Sequence, residues 1–166
     1  MPRYQAITIG SSTVDIFADT DQDELIEIQT GDTDEELIAY PLGSKIPLTA
    51  IRHDVGGNGV NVAVGLSRLD IDTAYAGKLG RDAHGDIIKQ RLDDEGVAFA
   101  GGRSGKSGMG IILDSHLKDE RTILGYKGCN NMLEREDVTD NLHADLWYFS
   151  SMLEEGSHTM QMTTTR

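Results

Sequence analysis

The stretch Gly56-Gly57-Asn58-Gly59-Val60-Asn61-Val62-Ala63-Val64 decides how this chain folds. Three glycines lie within four residues, and glycine permits positive φ angles and the close approach of a second backbone. The stretch predicts a helix over residues 60–69 with Asn58 as its cap. The inward stripe of that helix is predicted to contain Val62, Ala63, Leu66 and Leu69.

The same stretch is a candidate ligand site. A helix start presents N–H groups and the positive end of the helix dipole, which suits an anion. Asn61 lies in the first turn and offers both a donor and an acceptor, which suits the hydroxyl groups of a polyol. The spacing alone does not choose between an anion, a polyol and a tight strand-to-helix loop that binds nothing.

The rest of the chain alternates between β-forming and helical segments. The predicted strands are residues 4–9, 73–77, 97–100, 108–114, 121–126 and 144–150, of which the fourth and fifth form a hairpin. A second helix is predicted from the cap Asp82 to residue 95 with Ile87, Ile88 and Leu92 inward, and a short polar helix over residues 134–142. This order predicts an α/β fold with a largely parallel sheet.

Asp15 and the acidic segment after it form a second candidate region. The polar run 11–15 is predicted to end the first strand, where α/β proteins bind ligands, although a turn or cap residue is the favoured interpretation of Asp15 taken alone. Nine carboxylates follow between Asp19 and Glu36 without EF-hand spacing, so a solvated acidic loop is predicted there. Residues 25–28, 37–40 and 46–55 are predicted to form a small sheet that stands off the main body.

Composition excludes several classes of function. The chain has 166 residues and a net charge of −13, which argues against binding to nucleic acid or to anionic membranes. A single cysteine allows no intrachain disulfide, and the first residues contain no apolar signal segment, so a cytoplasmic protein is predicted. The five histidines lack metal-binding spacing, so no metal site is predicted. Residues 100–107 are similar to a P-loop, but Ala100 stands where a P-loop has its first glycine, and a predicted strand follows where a P-loop has a helix. A glycine-rich loop is therefore predicted here and not a P-loop.

The order and spacing of several motifs resemble the N-terminal half of a ribokinase-like carbohydrate kinase of the phosphofructokinase-B (PfkB) type. The resemblance covers the whole chain and rests on Gly10-Ser11-x-x-x-Asp15, Gly56-Gly57-Asn58-Gly59-Val60-Asn61-x-Ala63 and Gly77-x-Leu79-Gly80-x-Asp82-x-x-Gly85. Shorter matches are Gly96-Val97, Ser107-Gly108, Arg121-Thr122 and Gly128-x-Asn130. The resemblance implies a three-layer α/β/α body, incomplete here, with a small β lid at approximately residues 16–55 and 107–127.

The resemblance also implies an activity and its residues. Such kinases use ATP and Mg²⁺ to phosphorylate a hydroxyl group of a sugar or nucleoside. Their substrate-binding positions match Thr13, Asp15, Gly56, Gly57, Asn58 and Asn61, although Asn is common where Thr13 stands and Lys where Asn58 stands. Their catalytic base lies in a Gly-Ala-Gly-Asp element, which these 166 residues do not contain. No catalytic residue and no ATP- or Mg²⁺-binding determinant is therefore predicted in this chain.

Three functional hypotheses follow. In the first, the chain carries the acceptor site and lid of a sugar kinase whose C-terminal nucleotide-binding half is absent, and it is inactive by itself. In the second, it is a non-catalytic module that binds a polyol or docks to another protein. In the third, it is a different nucleotide-binding α/β protein with a phosphate on the glycine stretch.

The apolar run 147–149 needs cover on both faces, so a homodimer through the lid or an open sheet edge is expected.

Overall fold

The structure, a computed structural model, describes residues 3–22, 24–30, 33–115, 119–138 and 142–150. In these ranges the chain forms twelve strands, two α-helices and two short 3₁₀ helices. The elements are β1 (Arg3–Ile9), β2 (Thr13–Asp19), β3 (Glu24–Thr30), β4 (Thr33–Ala39), β5 (Ala50–Gly56), α1 (Asn58–Ser67), β6 (Thr73–Tyr75), β7 (Lys78–Leu79), α2 (Ala83–Asp94), β8 (Ala98–Phe99), β9 (Gly102–Arg103), β10 (Gly108–Asp114), β11 (Arg121–Tyr126), the 3₁₀ helices Gly128–Met132 and Arg135–Asp137, and β12 (His143–Phe149). None of the described helices is long and apolar enough to cross a membrane.

The chain divides into two compact units. The first contains Met1–Val14, Val55–Met109 and Tyr126–Arg166, and the second contains Asp15–Asp54 and Gly110–Gly125. The second unit lies largely within the segments predicted to form a lid. The lid itself stays a prediction.

The first unit is built on a parallel sheet with the strand order β12-β1-β6-β8. Ile7 of β1 pairs with Ala74 of β6 on one side and with Trp147 of β12 on the other. Parallel neighbours require crossover connections, and α1 and α2 lie in the segments that lead to β6 and β8. The predicted α/β fold with a parallel sheet is confirmed.

Both α-helices pack on one apolar core. Val60 and Ala63 of α1 and Ile88 and Leu92 of α2 are buried together with Tyr75. The predicted stripes were partly wrong, because Leu69 is 72% exposed and Ile87 is 47% exposed. Helix α1 begins earlier than predicted and ends at Ser67, so Leu69 lies beyond it. The buried face of α2 follows residues 85, 88 and 92, the spacing of a single helix face, which leaves residue 87 outside.

A second apolar cluster contains Ile7, Ile9 and Ala74, with Trp147 and Phe149 of β12 half-buried against it. The rings of Trp147 and Phe149 stack with their centroids 6.4 Å apart. Strand β12 is an edge strand among the described residues. The sequence predicts that the apolar run 147–149 of β12 needs cover on both faces. Among the described residues this cover is incomplete, because Trp147 and Phe149 are only half-buried.

The start of α2 is capped by Asp82, as predicted. One carboxylate oxygen of Asp82 accepts hydrogen bonds from the N–H of Gly85 at 2.8 Å and the hydroxyl of Ser107 at 2.6 Å. The other accepts the N–H of Ser107 at 2.9 Å. Burial acts to raise the pKa of Asp82, but the hydrogen bonds from Ser107 and Gly85 outweigh it and hold that pKa below its usual range.

The second unit contains a four-stranded sheet of order β11-β10-β2-β5 and the antiparallel hairpin of β3 and β4. The predicted strand over residues 46–55 begins later, at Ala50. Within this unit the guanidinium of Arg52 lies 4.5 Å from the ring centroid of Phe17, a cation–π contact between neighbouring strands. The helix predicted over residues 134–142 was wrong where the structure describes it. Only Arg135–Asp137 form a 3₁₀ helix, Val138 is extended, and residues 139–141 lie outside the described residues.

Two glycines of α1 provide a matched test of how tightly the start of that helix packs. A Cβ at Gly59 would lie 2.9 Å from the backbone of Gly10 and from the ring of Tyr75, whereas a Cβ at Gly65 would contact nothing. We expect Gly59→Ala to lower the free energy of unfolding by about 1–3 kcal/mol through overpacking. We expect Gly65→Ala to raise it by about 0.5–1 kcal/mol, because alanine is the better helix former. Denaturant unfolding measures both changes, and equal effects would contradict this packing.

The cap of α2 predicts a pH-dependent stability. In Asp82→Asn the NH₂ group cannot accept one of the Ser107 hydrogen bonds, so we expect a loss of about 1–2 kcal/mol at pH 7. The folded-state pKa of Asp82 is lowered, so its contribution is present above the unfolded-state pKa and is lost as the pH falls through the folded value. The difference between the unmodified chain and Asp82→Asn should therefore shrink in acid.

Urea unfolding at a series of pH values measures this difference. Asp94→Asn is the matched control, because Asp94 lies at the other end of the same helix and is exposed. A difference for Asp82→Asn that stays constant down to the lowest pH would rule out the charged cap.

Candidate functional site

The glycine stretch places the start of α1 directly against the turn that follows β1. Gly57 caps the helix with a φ of 93°, in the left-handed region, and a Cβ there would overlap the carbonyl oxygen of Ser11. Glycine is needed because other residues rarely adopt this φ and have no room for their Cβ. Asn58 is the first residue of the helix and not its cap, so that prediction was wrong.

The first N–H groups of α1 are engaged within the protein. The N–H of Asn58 donates to the hydroxyl of Ser11 at 3.2 Å, and the N–H of Gly59 donates to the carbonyl of Ser11 at 3.1 Å. An anion on a helix start is held by such N–H groups. The anion hypothesis for this stretch therefore loses two of the donors on which it depended.

The side chains of Asn58 and Asn61 are exposed. They are three residues apart in one helix, so they lie on the same side of its first turn. The backbone N–H of Asn61 donates to the carbonyl of Gly57 at 2.9 Å, and its side chain makes no hydrogen bond among the described residues. The carboxamide of Asn61 is therefore available to a ligand.

Two further predicted site residues, Gly56 and Thr13, belong to the first unit. Gly56 ends β5 and is buried, and Thr13 begins β2 and is half-buried. A Cβ on Gly57 would lie 2.6 Å from the Cα of Ser12, the residue before Thr13. The structure thus brings Gly57 and Asn58 next to the turn that leads into Thr13.

Asp15 lies in the second unit and not where the sequence predicted it. It is the third residue of β2, within a strand, and not a residue beyond the end of β1. Its carboxylate lies over Gly110 of the neighbouring strand β10, where a Cβ would be 2.6 Å from Oδ1. The absence of a side chain at Gly110 therefore leaves room for the half-buried carboxylate of Asp15.

A cavity of about 610 Å³ in the first unit was not predicted as a separate feature. Its lining residues are Asp82, Ala83, His84, Lys106, Ser107, Met109 and Tyr126. The carboxylate of Asp82 is occupied by its hydrogen bonds to Ser107 and Gly85. Strand β10 follows the glycine-rich residues 100–107, as predicted, so they do not have the loop-to-helix form of a P-loop.

The 3₁₀ helix Gly128–Met132 contacts the same turn after β1. Cys129 is fully buried, as predicted for a small packed residue, and burial raises the pKa of its thiol, which makes it a poor nucleophile. The carboxamide of Asn130 binds the backbone of Ser12, with the Ser12 N–H donating at 2.9 Å. Sequence reasoning assigned Asn130 no role, although the Gly128-x-Asn130 spacing was its one visible signal.

Comparison with known proteins gives the chain a family. Residues 23–165 match the family described as pfkB family carbohydrate kinase. The chain is 27% identical over 138 residues to the uncharacterized sugar kinase YegV of Escherichia coli, a match that covers 81% of this chain and 37% of that protein.

Two solved structures show the same fold. A ribokinase from Giardia lamblia matches with a TM-score of 0.75 at 18% identity, over 98% of this chain and 51% of that one. An Arabidopsis thaliana ribokinase complexed with ribose and ATP matches with a TM-score of 0.63 at 22% identity, over 87% of this chain and 46% of that one. This chain therefore spans between about a third and about half of the length of these three proteins. On the family match, this chain belongs to the pfkB family of carbohydrate kinases.

Proposed function

We propose that this chain carries the acceptor-binding part of a kinase that transfers phosphate from ATP to a hydroxyl group of a sugar or nucleoside. The observation that carries the proposal is the start of α1, where the first N–H groups bind Ser11 while the side chains of Asn58 and Asn61 are exposed. A carboxamide offers a donor and an acceptor, and a sugar hydroxyl requires both. Membership of the pfkB family supplies the reaction class.

The proposal extends to Asp15 and Thr13. The carboxylate of Asp15 is an acceptor for two hydroxyl groups, and such charge-assisted hydrogen bonds are stronger than neutral ones. Gly110 leaves the space in which this carboxylate lies. Thr13 offers one hydroxyl. Gly56 and Gly57 contribute through their backbone, since Gly57 allows α1 to begin where it does.

ATP and Mg²⁺ are the proposed cofactors of the whole kinase. Within the part of the chain that the structure describes, His, Cys, Asp and Glu side chains form no group of three able to hold a metal ion. The sequence also contains no Gly-Ala-Gly-Asp element. We therefore assign to these residues the binding and orientation of the acceptor, with residues 16–55 and 107–127 as its lid, and no step that uses a metal ligand or a catalytic base. A cytoplasmic location stays a prediction from the sequence.

Alanine substitutions at Asp15 and Asn61 test the acceptor site. We expect each to remove hydrogen bonds worth about 1–3 kcal/mol, which weakens acceptor binding roughly 5- to 150-fold. Calorimetric titration with D-ribose, D-fructose and adenosine measures this loss on the protein expressed at the full length that its gene encodes. Asn131→Ala is the matched control, because Asn131 is an exposed carboxamide in a different helix, and it should bind normally. Unchanged affinity in both site variants would refute the assignment.

An assay of ATP consumption, added to the titration, separates the kinase from a non-catalytic polyol-binding module. The 166 residues alone should bind the acceptor without transferring phosphate, because they contain no residue for the base and anion-binding roles together. Full-length protein should consume ATP only when the acceptor is present. If the full-length protein binds the acceptor but consumes no ATP, the non-catalytic module is favoured. If the 166 residues alone consume ATP when the acceptor is present, the proposal that they bind the acceptor without catalysing the transfer is overturned.

We also propose that the chain forms a homodimer through the edge of the second unit's sheet. Strands β5 and β11 are the outer strands of that sheet, and Ile51, Ile123 and Leu124 on them are 57%, 58% and 53% exposed. An edge strand with exposed apolar side chains is a template for pairing with another copy. Sedimentation at micromolar concentration should show a dimer or larger species.

Ile123→Lys should shift that species toward the monomer, because a lysine on an edge strand opposes pairing. Leu69→Lys is the matched control, since Leu69 is equally apolar and 72% exposed but lies after α1. A compact monomer of the unmodified chain, or equal effects of the two lysines, would contradict the proposed interface.

A further inference from the structure

We propose that Asn130 is a positioning residue for the acceptor site. It lies in the 3₁₀ helix Gly128–Met132 and contacts the turn formed by residues 10–12, on which the start of α1 also packs. The consequence for acceptor binding rests on the function proposed above. The contacts that Asn130 makes do not depend on that function.

The carboxamide of Asn130 pairs with both backbone polar groups of Ser12. The N–H of Ser12 donates to Oδ1 at 2.9 Å, and Nδ2 donates to the carbonyl of Ser12 at 2.8 Å. The second Nδ2 proton goes to the carbonyl of Lys127 at 2.9 Å. Ser12 lies between β1 and β2 and is fully buried, so the side chain of Asn130 supplies the pairing that a neighbouring strand supplies elsewhere.

This arrangement requires a carboxamide of this length. A carboxylate in the same place would turn an oxygen toward the carbonyl oxygens of Ser12 and Lys127 and would lose both donated hydrogen bonds. Gly108 completes the fit, because a Cβ there would overlap Nδ2 of Asn130 and would lie 2.8 Å from the carbonyl oxygen of Ser12.

Ser11, the neighbour of Ser12 in the turn, connects the turn to α1 by hydrogen bonds. The hydroxyl and carbonyl of Ser11 accept the N–H groups of Asn58 and Gly59. Gly57 packs so closely on Ser11 and Ser12 that it has no room for a Cβ. A shift of the turn therefore moves the first turn of the helix, which presents Asn58 and Asn61.

The 3₁₀ helix that carries Asn130 is itself firmly held. The N–H of Cys129 donates to the carbonyl of Lys106 at 2.7 Å. The ammonium of Lys78 donates to the carbonyl of Met132 at 2.7 Å and to the carboxylate of Asp137 at 2.8 Å. The side chains of Lys78 and Asp137 are only 7% and 15% exposed. These hydrogen bonds hold the 3₁₀ helix in place, so the side chain of Asn130 has a fixed position against the turn.

Side-chain amide exchange in the unmodified chain tests the contacts without any substitution. Both Nδ2 protons of Asn130 are donated to carbonyl groups, whereas Asn131 is exposed in the same 3₁₀ helix. NMR exchange rates should show the Asn130 amide protons to be slower than those of Asn131 by roughly tenfold or more. Equal rates would overturn the proposal.

Asn130→Asp and its matched control Asn131→Asp test the consequence at full length. Asn130→Asp should speed backbone exchange at Ser12 and Asn58 about tenfold. It should raise the KM of whichever of D-ribose, D-fructose or adenosine the unmodified protein uses by about fivefold or more, with the KM for ATP changed less than about twofold. Asn131→Asp should change neither. If Asn130→Asp does not fold, Gly108→Ala displaces the same carboxamide without a change of charge and should give the same pattern.

The outcomes are distinguishable from a failure of the proposed function. Faster exchange with an unchanged acceptor KM, or equal losses for acceptor and ATP, would overturn the positioning role. An unmodified protein that uses none of the three acceptors would instead refute the proposed function, and the exchange measurements would still decide whether Asn130 holds the turn.

Discussion

The meeting of backbones at Gly10, Gly57 and Gly59 is the constraint on which the first unit depends. A Cβ on Gly10 would lie 2.6 Å from the carbonyl oxygen of Ser150, and one on Gly59 would lie 2.9 Å from the backbone of Gly10. Side-chain hydrogen bonds fix the contact, since the hydroxyl of Thr8 donates to the carbonyl of Gly59 at 2.9 Å. Because α1 is held here at its first turn, Val60 and Ala63 fall into the core.

A network of buried polar groups contacts the turn at Ser12, next to these close backbone contacts. The carbonyl of Lys78 accepts a hydrogen bond from the thiol of Cys129 at 3.2 Å and a weaker one from the hydroxyl of Ser12 at 3.4 Å. The ammonium of the same lysine is paired with Asp137. Buried polar groups of this kind add little net stability when all are paired, but removal of one partner leaves the other unpaired at a cost of several kcal/mol. The loss of any one of these partners is therefore expected to disturb the turn that the network contacts.

Local sequence patterns predicted what local chemistry controls. The cap at Asp82 depends on a residue three positions away, and the alternation of strands and helices along the chain indicates the α/β class; both were predicted. Asp15 was misplaced because the polar run 11–15 contains the start of a second strand, and only pairing with distant strands shows that β2 begins at Thr13. Asn58 was misassigned as a cap because asparagine is common in that role, whereas the chain here enters the helix at Gly57 with a positive φ of 93°, which favours glycine.

The contact of Asn130 with Ser12 could not be predicted from local sequence patterns. Its partner Ser12 is 118 residues away in sequence, and no periodicity or spacing relates a carboxamide to a backbone at that distance. The same limit applies to Gly108 and Gly110. A Cβ at Gly108 would meet the side chain of Asn130 and the carbonyl of Ser12, and a Cβ at Gly110 would meet the carboxylate of Asp15. Contacts of this type require the fold before they can be identified.

Under the proposed function, the choice of ligand at α1 depends on which polar groups the fold leaves unpaired. The chain carries a net charge of −13, which opposes the approach of anions, but exposed charges are screened beyond about 8 Å at physiological salt. Local donors must therefore decide, and Ser11 has already taken the N–H groups of Asn58 and Gly59. The carboxamide of Asn61 remains at the first turn, neutral and able both to donate and to accept. The proposed polyhydroxylated acceptor would satisfy both halves of that carboxamide through its hydroxyl groups, whereas a fully deprotonated phosphate group would satisfy only its donor.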